Sequence, residues 1–402
     1  MNLKGKNVLI TQSALHFLAG SEITTLELAN YFTEQGANVL VFTWYLADPM
    51  SVEFQKNHIS VTIDEDDERL DKIDIAWIHH QVIPKRLLFA LKNNNLKTRF
   101  FFYHMSPLDY VPIEWPYLYQ LEQTVADKSL FASPGTKDSI IELFPSLKSK
   151  SYVLENLLPN QFLEYKHEPT SLHKVLIVSN HNTPELNEAA KLLDAHSISV
   201  EYIGQNKNVK PVSVNLLKKY DLIITIGKTA VYCLGSNIPV YVYDHFGGPG
   251  YLSEKNIDKT RYRTFSGRGF PSKKANTIAN EIINNYSKAV KYQSSNVDFF
   301  KNTFSIDKQL KYILASQPKN STKTLSDEQL SSFYSIQHLV KDKVVAENTL
   351  VDTIKYDNQK ISSLEEQLSQ SNQLLKNITQ SKLYKLLLKI DNISHPFKRQ
   401  KR

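Results

Sequence analysis

The chain has 402 residues, 41% hydrophobic and 22% charged, which is ordinary for a globular protein and long enough for two domains plus an appendage. A single cysteine, Cys233, rules out an internal disulfide framework and any four-cysteine zinc site, and fits a reducing compartment. The net charge of +7 is gathered in residues 381–402, where seven Lys/Arg meet only Asp391; this basic tail suits an anionic membrane surface better than nucleic acid.

The first element is NVLIT (7–11), a strand that empties into a polar loop. Thr11, Gln12, Ser13 and His16 interrupt its apolar run, which argues against a signal peptide. No later stretch reaches the roughly 18 apolar residues of a membrane span. A helical pattern follows from Glu22 to Glu34, ends at Gly36, and leads into the strand NVLVFTW (38–44). Further strands are expected at KIDIAWIHH (72–80), TRFFFYH (98–104) and SLFAS (129–133). Periodicity then lapses over 157–172. The same unit restarts as KVLIVS (174–179), a helix from Pro184 to Ala195, and ISVEYIG (198–204). LIITIG (222–227), PVYVYD (239–244) and YRTFSG (262–267) complete the second set.

Parallel strands need helical crossovers, so two runs of alternating strand and helix predict an α/β protein with two Rossmann-like, doubly wound domains. The expected division is 1–165, 166–318, and a helical tail over 319–402 that opens with the linker-like NSTKTLSDEQ. In that tail Ile361, Leu364, Leu368, Leu375 and Ile378 follow a/d spacing, broken at Ser371. Residues 350–378 therefore read as a coiled coil with a second copy or a partner transferase, or as one amphipathic helix. LYKLLLKI (383–390) carries lysines along one side of a leucine-rich helix and ends in FKRQKR, the pattern of an interfacial helix.

Ligands of doubly wound domains sit at the carboxyl ends of strands. In the second half those ends offer Ser179, Asn180 and His181 before one helix, and Gly227, Lys228 and Thr229 at the start of another, where free N–H groups and a lysine suit phosphate. The spacing is not that of a phosphate-binding P-loop, which disfavours nucleotide hydrolysis. The third end, DHFGGPGYL, supplies Asp244 and His245 for hydroxyls and Gly247, Gly248 and Gly250 for close backbone approach. Arg268 in FSGRG adds a fork suited to diphosphate. In the first half Gly20 and Ser21 open a helix toward the presumed cleft, while His79, His80 and His104 end strands, with His104 the candidate for proton transfer. The D-x-D spacing in DEDDE (64–68) lacks a second ligand cluster and reads as a solvated loop, so no metal site is expected.

The segment NVLITQSALHFLAGSEITTLELANYFTEQGANVLVFT resembles the opening of GT-B glycosyltransferases of the family 4 type. The combination of SNHNTPEL, IGKTAVYCLGSNIP, DHFGGPGYL and FSGRG is similar to glycosyltransferase-like proteins from bacterial surface-polysaccharide gene clusters. The resemblance spans roughly residues 1–315. It implies a metal-independent transferase of hexosyl type without a bound cofactor. The nucleotide-diphosphate sugar would be held by the second domain, and a glycan or lipid-linked acceptor would approach through the first at the cytoplasmic membrane face. It also implies that Lys228 and Arg268 neutralise the diphosphate leaving group. One departure stands out: many family 4 enzymes carry a glutamate on the helix corresponding to TAVYCLGSN, where Tyr232 or Cys233 stands here. Asp244 or His245 would then contact the sugar in its place. The same departure keeps open a non-catalytic glycan- or partner-binding subunit of this fold, with a nucleotide-sugar epimerase as a third reading.

Overall fold

The computed structural model describes residues 2–92, 96–168, 171–181, 183–204, 210–315 and 325–394, without the side chains of 391–394. Seven strands build the first sheet: β1 (Asn7–Leu15), β2 (Asn38–Leu46), β3 (Ser60–Thr62), β4 (Ile75–His79), β5 (Arg99–His104), β6 (Ala126–Phe131) and β7 (Ser151–Val153). All pairs are parallel, in the order β3-β2-β1-β4-β5-β6-β7. Five more build the second: β8 (Lys174–Val178), β9 (Ser199–Ile203), β10 (Leu222–Thr225), β11 (Val240–Asp244) and β12 (Gly247–Tyr251), in the order β12-β11-β10-β8-β9. The strand order reverses between β1 and β4 and again between β8 and β10, which is where such sheets open a crevice for ligands.

Near-continuous apolar strands are what a sheet covered on both faces requires. Side chains alternate between the faces: Ile10, Trp77 and Phe101 join Leu28 and Phe32 of the helix Gly20–Glu34, while Leu9, Ala76, Phe100 and Phe102 face the other way. Each fully buried phenylalanine contributes on the order of 1.5–3 kcal/mol through the water it leaves. In the second domain the long helix Ala275–Phe304 lays Ala275, Ile278, Ile282 and Tyr286 on Ile177, Tyr241 and Tyr243.

Two features differ from the domain limits expected above. The chain recrosses to the first domain after Phe304, where the Leu158 N–H donates to the Phe304 carbonyl (2.8 Å) and the Ile306 N–H to that of Leu158 (3.1 Å). Ile306, Leu310, Ile313 and Leu314 then enter the first domain's core, and Leu325, Leu330, Phe333 and Val344 cover its other face. The first compact unit accordingly runs through Val345, and 346–402 forms a second. Half of the expected linker, 320–324 of 320–329, lies outside the described residues. Within the second unit Ile361, Leu364, Leu368, Leu375 and Ile378 are all exposed on the helix Asp327–Gln380.

Two local expectations are corrected. YRTFSG is the end of the helix Ile257–Tyr262 and a turn, with Thr264 (φ 53°) and Phe265 (φ 58°) in left-handed backbone that no strand uses. The glycine-rich DHFGGPGYL is a hairpin rather than an open loop, since β12 returns antiparallel along β11 and pairs Asp244 with Gly247 and Tyr241 with Tyr251. Gly248 is demanded by that pairing, because a Cβ there would lie 2.1 Å from the Val242 carbonyl oxygen.

Candidate functional site

The carboxyl ends of β8 and β11 meet at one buried carboxylate. Asp244, 1% exposed, accepts from both Ser179 Oγ (2.9 and 3.0 Å) and Thr183 Oγ1 (3.0 Å), from the His245 N–H (2.8 Å), and from His181 Nδ1 (3.1 Å). The polar loop after β8 is thus folded around the end of β11, which explains why a short connection needs so many hydroxyls. Above it the rings of His181 and His245 lie 3.6 Å apart, and His245 also lies 3.6 Å from Phe246. Arg268 caps the row, its guanidinium 3.7 Å from the Phe246 centroid and beside the Tyr110 hydroxyl of the first domain. Burial first, and the neighbouring His181 second, hold His245 below the usual histidine range. Asn180 is exposed; Gly247, Gly248 and Gly250 are buried in the hairpin.

The end of β10 leads into the helix Gly227–Gly235, and Gly227 (φ 62°) supplies the left-handed turn at its start. Lys228 does not project into solvent. Its ammonium lies 2.5 Å from Glu27 on the first domain's helix, and the Tyr232 hydroxyl donates to the same carboxylate. Burial raises the Glu27 pKa against the pull of Lys228 and Tyr232, and burial followed by Glu27 drives the Tyr232 phenol well above its ordinary range. Thr229 is half-buried beside them. Two further contacts join the domains: Arg261 grips Glu155 through two nitrogens (2.6 and 3.2 Å), and Tyr262 donates to Asp138 (3.0 Å).

In the first domain Gly20 is exposed at its helix start, and Ser21 donates to Glu22 (2.6 Å). His104 is closed in: its Nε2 lies 3.0 Å from both oxygens of Glu122, which is fully buried, and its ring stacks on Phe131. That pairing commits the His104 Nε2 to Glu122. His80 has different partners. Ser13 lies 2.8 Å from its Nδ1 and Glu114 3.5 Å from its Nε2, and both His80 (φ 52°) and Gln81 (φ 53°) adopt left-handed backbone at the end of β4. Burial alone would lower the His80 pKa, but Glu114 and then Glu22 overcome it and raise it. His79 is buried without such help and stays far below its usual range. Three of the five acids of 64–68 form ion pairs: Glu65 with Lys341, Asp66 with Lys85 and Asp67 with Arg69.

Sequence reasoning missed Glu27, Ser13, Glu114 and Thr183. Each joins its partner across at least 34 residues of chain, so no local spacing announces it.

No protein-family model and no curated protein matches the chain. Among solved structures, a glycosyltransferase from Rickettsia africae ESF-5 is similar over 78% of this chain and all of its own, at 14% identity and a TM-score of 0.51. Anabaena Alr3699/HepE in complex with UDP is similar over 77% of this chain and 98% of its own, also at 14% identity, with a TM-score of 0.49. With two Rossmann-like sheets, one all parallel and one closed by the antiparallel β12, and their helices in one compact unit, the chain has the GT-B fold of glycosyltransferases.

Proposed function

We propose that the protein is a GT-B glycosyltransferase that moves a hexosyl group from a nucleotide-diphosphate sugar to a growing, lipid-linked bacterial surface glycan at the cytoplasmic face of the membrane. The observation that carries this reading is the convergence of Asp244, His181, His245 and Arg268 with the Gly227 helix start at the carboxyl ends of β8, β10 and β11. Arg268 and the N–H groups of Lys228 and Thr229 would take up diphosphate charge as the glycosidic bond breaks, the Gly227 N–H being engaged by the Phe265 carbonyl (2.9 Å). Buried and hydrogen-bonded, Asp244 serves as the organiser of the loop that meets the sugar. Membrane attachment rests on the helix Lys382–Ser394, whose Leu383, Leu386 and Leu387 are exposed beside Lys382, Lys385 and Lys389. The basic residues 398–402 lie outside the described residues, and no described helix is long and apolar enough to cross a membrane.

The test is calorimetry of nucleotide-sugar binding across a donor panel, with nucleotide release measured in the presence of lipid-linked acceptor. Binding by no donor overturns the reading. A second reading, a non-catalytic glycan-binding subunit, is favoured by Tyr232 or Cys233 standing where the resemblance places a glutamate. It predicts donor or glycan binding with no nucleotide release under any acceptor.

A further inference from the structure

We propose that His181, Asp244 and His245 bind one divalent transition-metal ion, of the Zn²⁺ or Mn²⁺ kind, whose remaining positions take phosphate oxygens of the donor. The ligand atoms of these three residues all lie within 4.8 Å of one another. His181 Nδ1 is 3.1 Å and His245 Nδ1 3.7 Å from the Asp244 carboxylate. Metal–ligand bonds of about 2.0–2.1 Å set adjacent ligands roughly 3.0–3.4 Å apart, so small ring rotations complete the site.

Three independent features point the same way. Asp244 is a buried carboxylate, and among the described residues its ion-pair partners are these two imidazoles alone. His245 Nδ1 is buried and has no hydrogen-bond partner among the described residues, although it faces that carboxylate. The donors that fix Asp244, namely Ser179, Thr183 and the His245 N–H, are the outer shell that orients a metal-bound carboxylate. Two imidazoles and one carboxylate select first-row transition ions over Mg²⁺ or Ca²⁺, which prefer oxygen throughout. His181 stays partly exposed, so the ion keeps open positions. Arg268, two aromatic rings away, disfavours a bare cation but suits a metal that carries phosphate. This departs from the metal-free donor binding that the family resemblance implies, and the phosphate half of the proposal rests on the nucleotide-sugar reading above.

Tag-free full-length protein, stripped with chelator, is titrated with Co²⁺ and read by its visible ligand-field absorption. One equivalent is expected, displaced by Zn²⁺, with affinity at least tenfold weaker in both His181→Ala and His245→Ala while circular dichroism is unchanged. Inorganic pyrophosphate and UDP should then each shift the band. Absence of Co²⁺ binding, or binding equal in both variants, overturns the site even where UDP still binds. Co²⁺ binding that neither pyrophosphate nor UDP perturbs establishes the metal and overturns its phosphate role.

Discussion

Replacing Lys228 with methionine should destabilise the compact unit by about 3–5 kcal/mol. The Lys228–Glu27 pair lies at 2.5 Å with both side chains largely withdrawn from water, 8% and 12% exposed. At an effective dielectric constant near 20 its attraction is of the order of 6 kcal/mol. Desolvation of the two ions cancels most of that, so the intact pair contributes little net stability. Removing one partner is different, because the other is left buried and unpaired, at a cost of roughly 3–5 kcal/mol. Glu27→Met should therefore cost about as much, while the double variant Glu27→Met/Lys228→Met returns to within about 1 kcal/mol of the parent. Thermal melting reads each corner of the cycle, at roughly 2–4 °C per kcal/mol for domains of this size. The pH dependence supplies a second reading. With its folded pKa raised, Glu27 in Lys228→Met holds a proton that the unfolded chain has released above about 4.3. Stability of that variant should rise as pH falls from 7 toward 5, relative to the parent. Single substitutions that cost less than 1 kcal/mol, or a double variant as unstable as the sum, would refute the buried bridge.

Four other outcomes follow from particular residues. Glu27→Gln, which frees the Lys228 ammonium, should tighten pyrophosphate binding severalfold by calorimetry; an unchanged affinity removes Lys228 from the phosphate site. Gly248→Ala should cost about 1–3 kcal/mol in urea unfolding, because its Cβ meets the Val242 carbonyl oxygen at 2.1 Å. Cys233 is fully buried and its thiol is pushed up by that burial, so the native protein should resist aromatic disulfide reagents and give one equivalent on unfolding. If the exposed seam of Ile361, Leu364 and Leu368 pairs two copies, light scattering should return the mass of two chains, falling to one in Leu364→Lys/Leu368→Lys.

The parts of the fold legible in the sequence are those set by local pattern. Strands such as 7–11, 38–44, 174–178 and 240–244 are runs of β-branched and aromatic residues bounded by turns, and the structure has them there. β12 was not legible, because three glycines and a proline speak against a strand, and only the close approach of Gly247 to Pro271, Gly248 to Val242 and Gly250 to Tyr241 calls for the glycines. YRTFSG misled in the opposite sense: its aromatic and β-branched residues sit in a left-handed turn imposed by tertiary packing. The recrossing of 306–315 and 325–344 onto the first domain depends on which amphipathic face finds which sheet, and spacing alone does not encode that. At the site, the strand-end loops of the second sheet were legible through their hydroxyls and histidines. Their assembly on Asp244 was not, since Ser179 and Thr183 lie more than 60 residues from it.

The glutamate absent from the helix Gly227–Gly235 bears on how the two domains work together. A carboxylate does stand against Lys228 and Tyr232, but it is Glu27 and comes from the opposite domain. An acid on the helix itself would be present in every arrangement of the domains. One contributed across the cleft neutralises Lys228 only while the domains are together. Separation of Glu27 from this helix would leave a buried ammonium beside the free N–H groups of a helix start, an arrangement that attracts a diphosphate. On the nucleotide-sugar reading proposed above, diphosphate and Glu27 would compete for one cation, and the bridge would link donor charge to domain position.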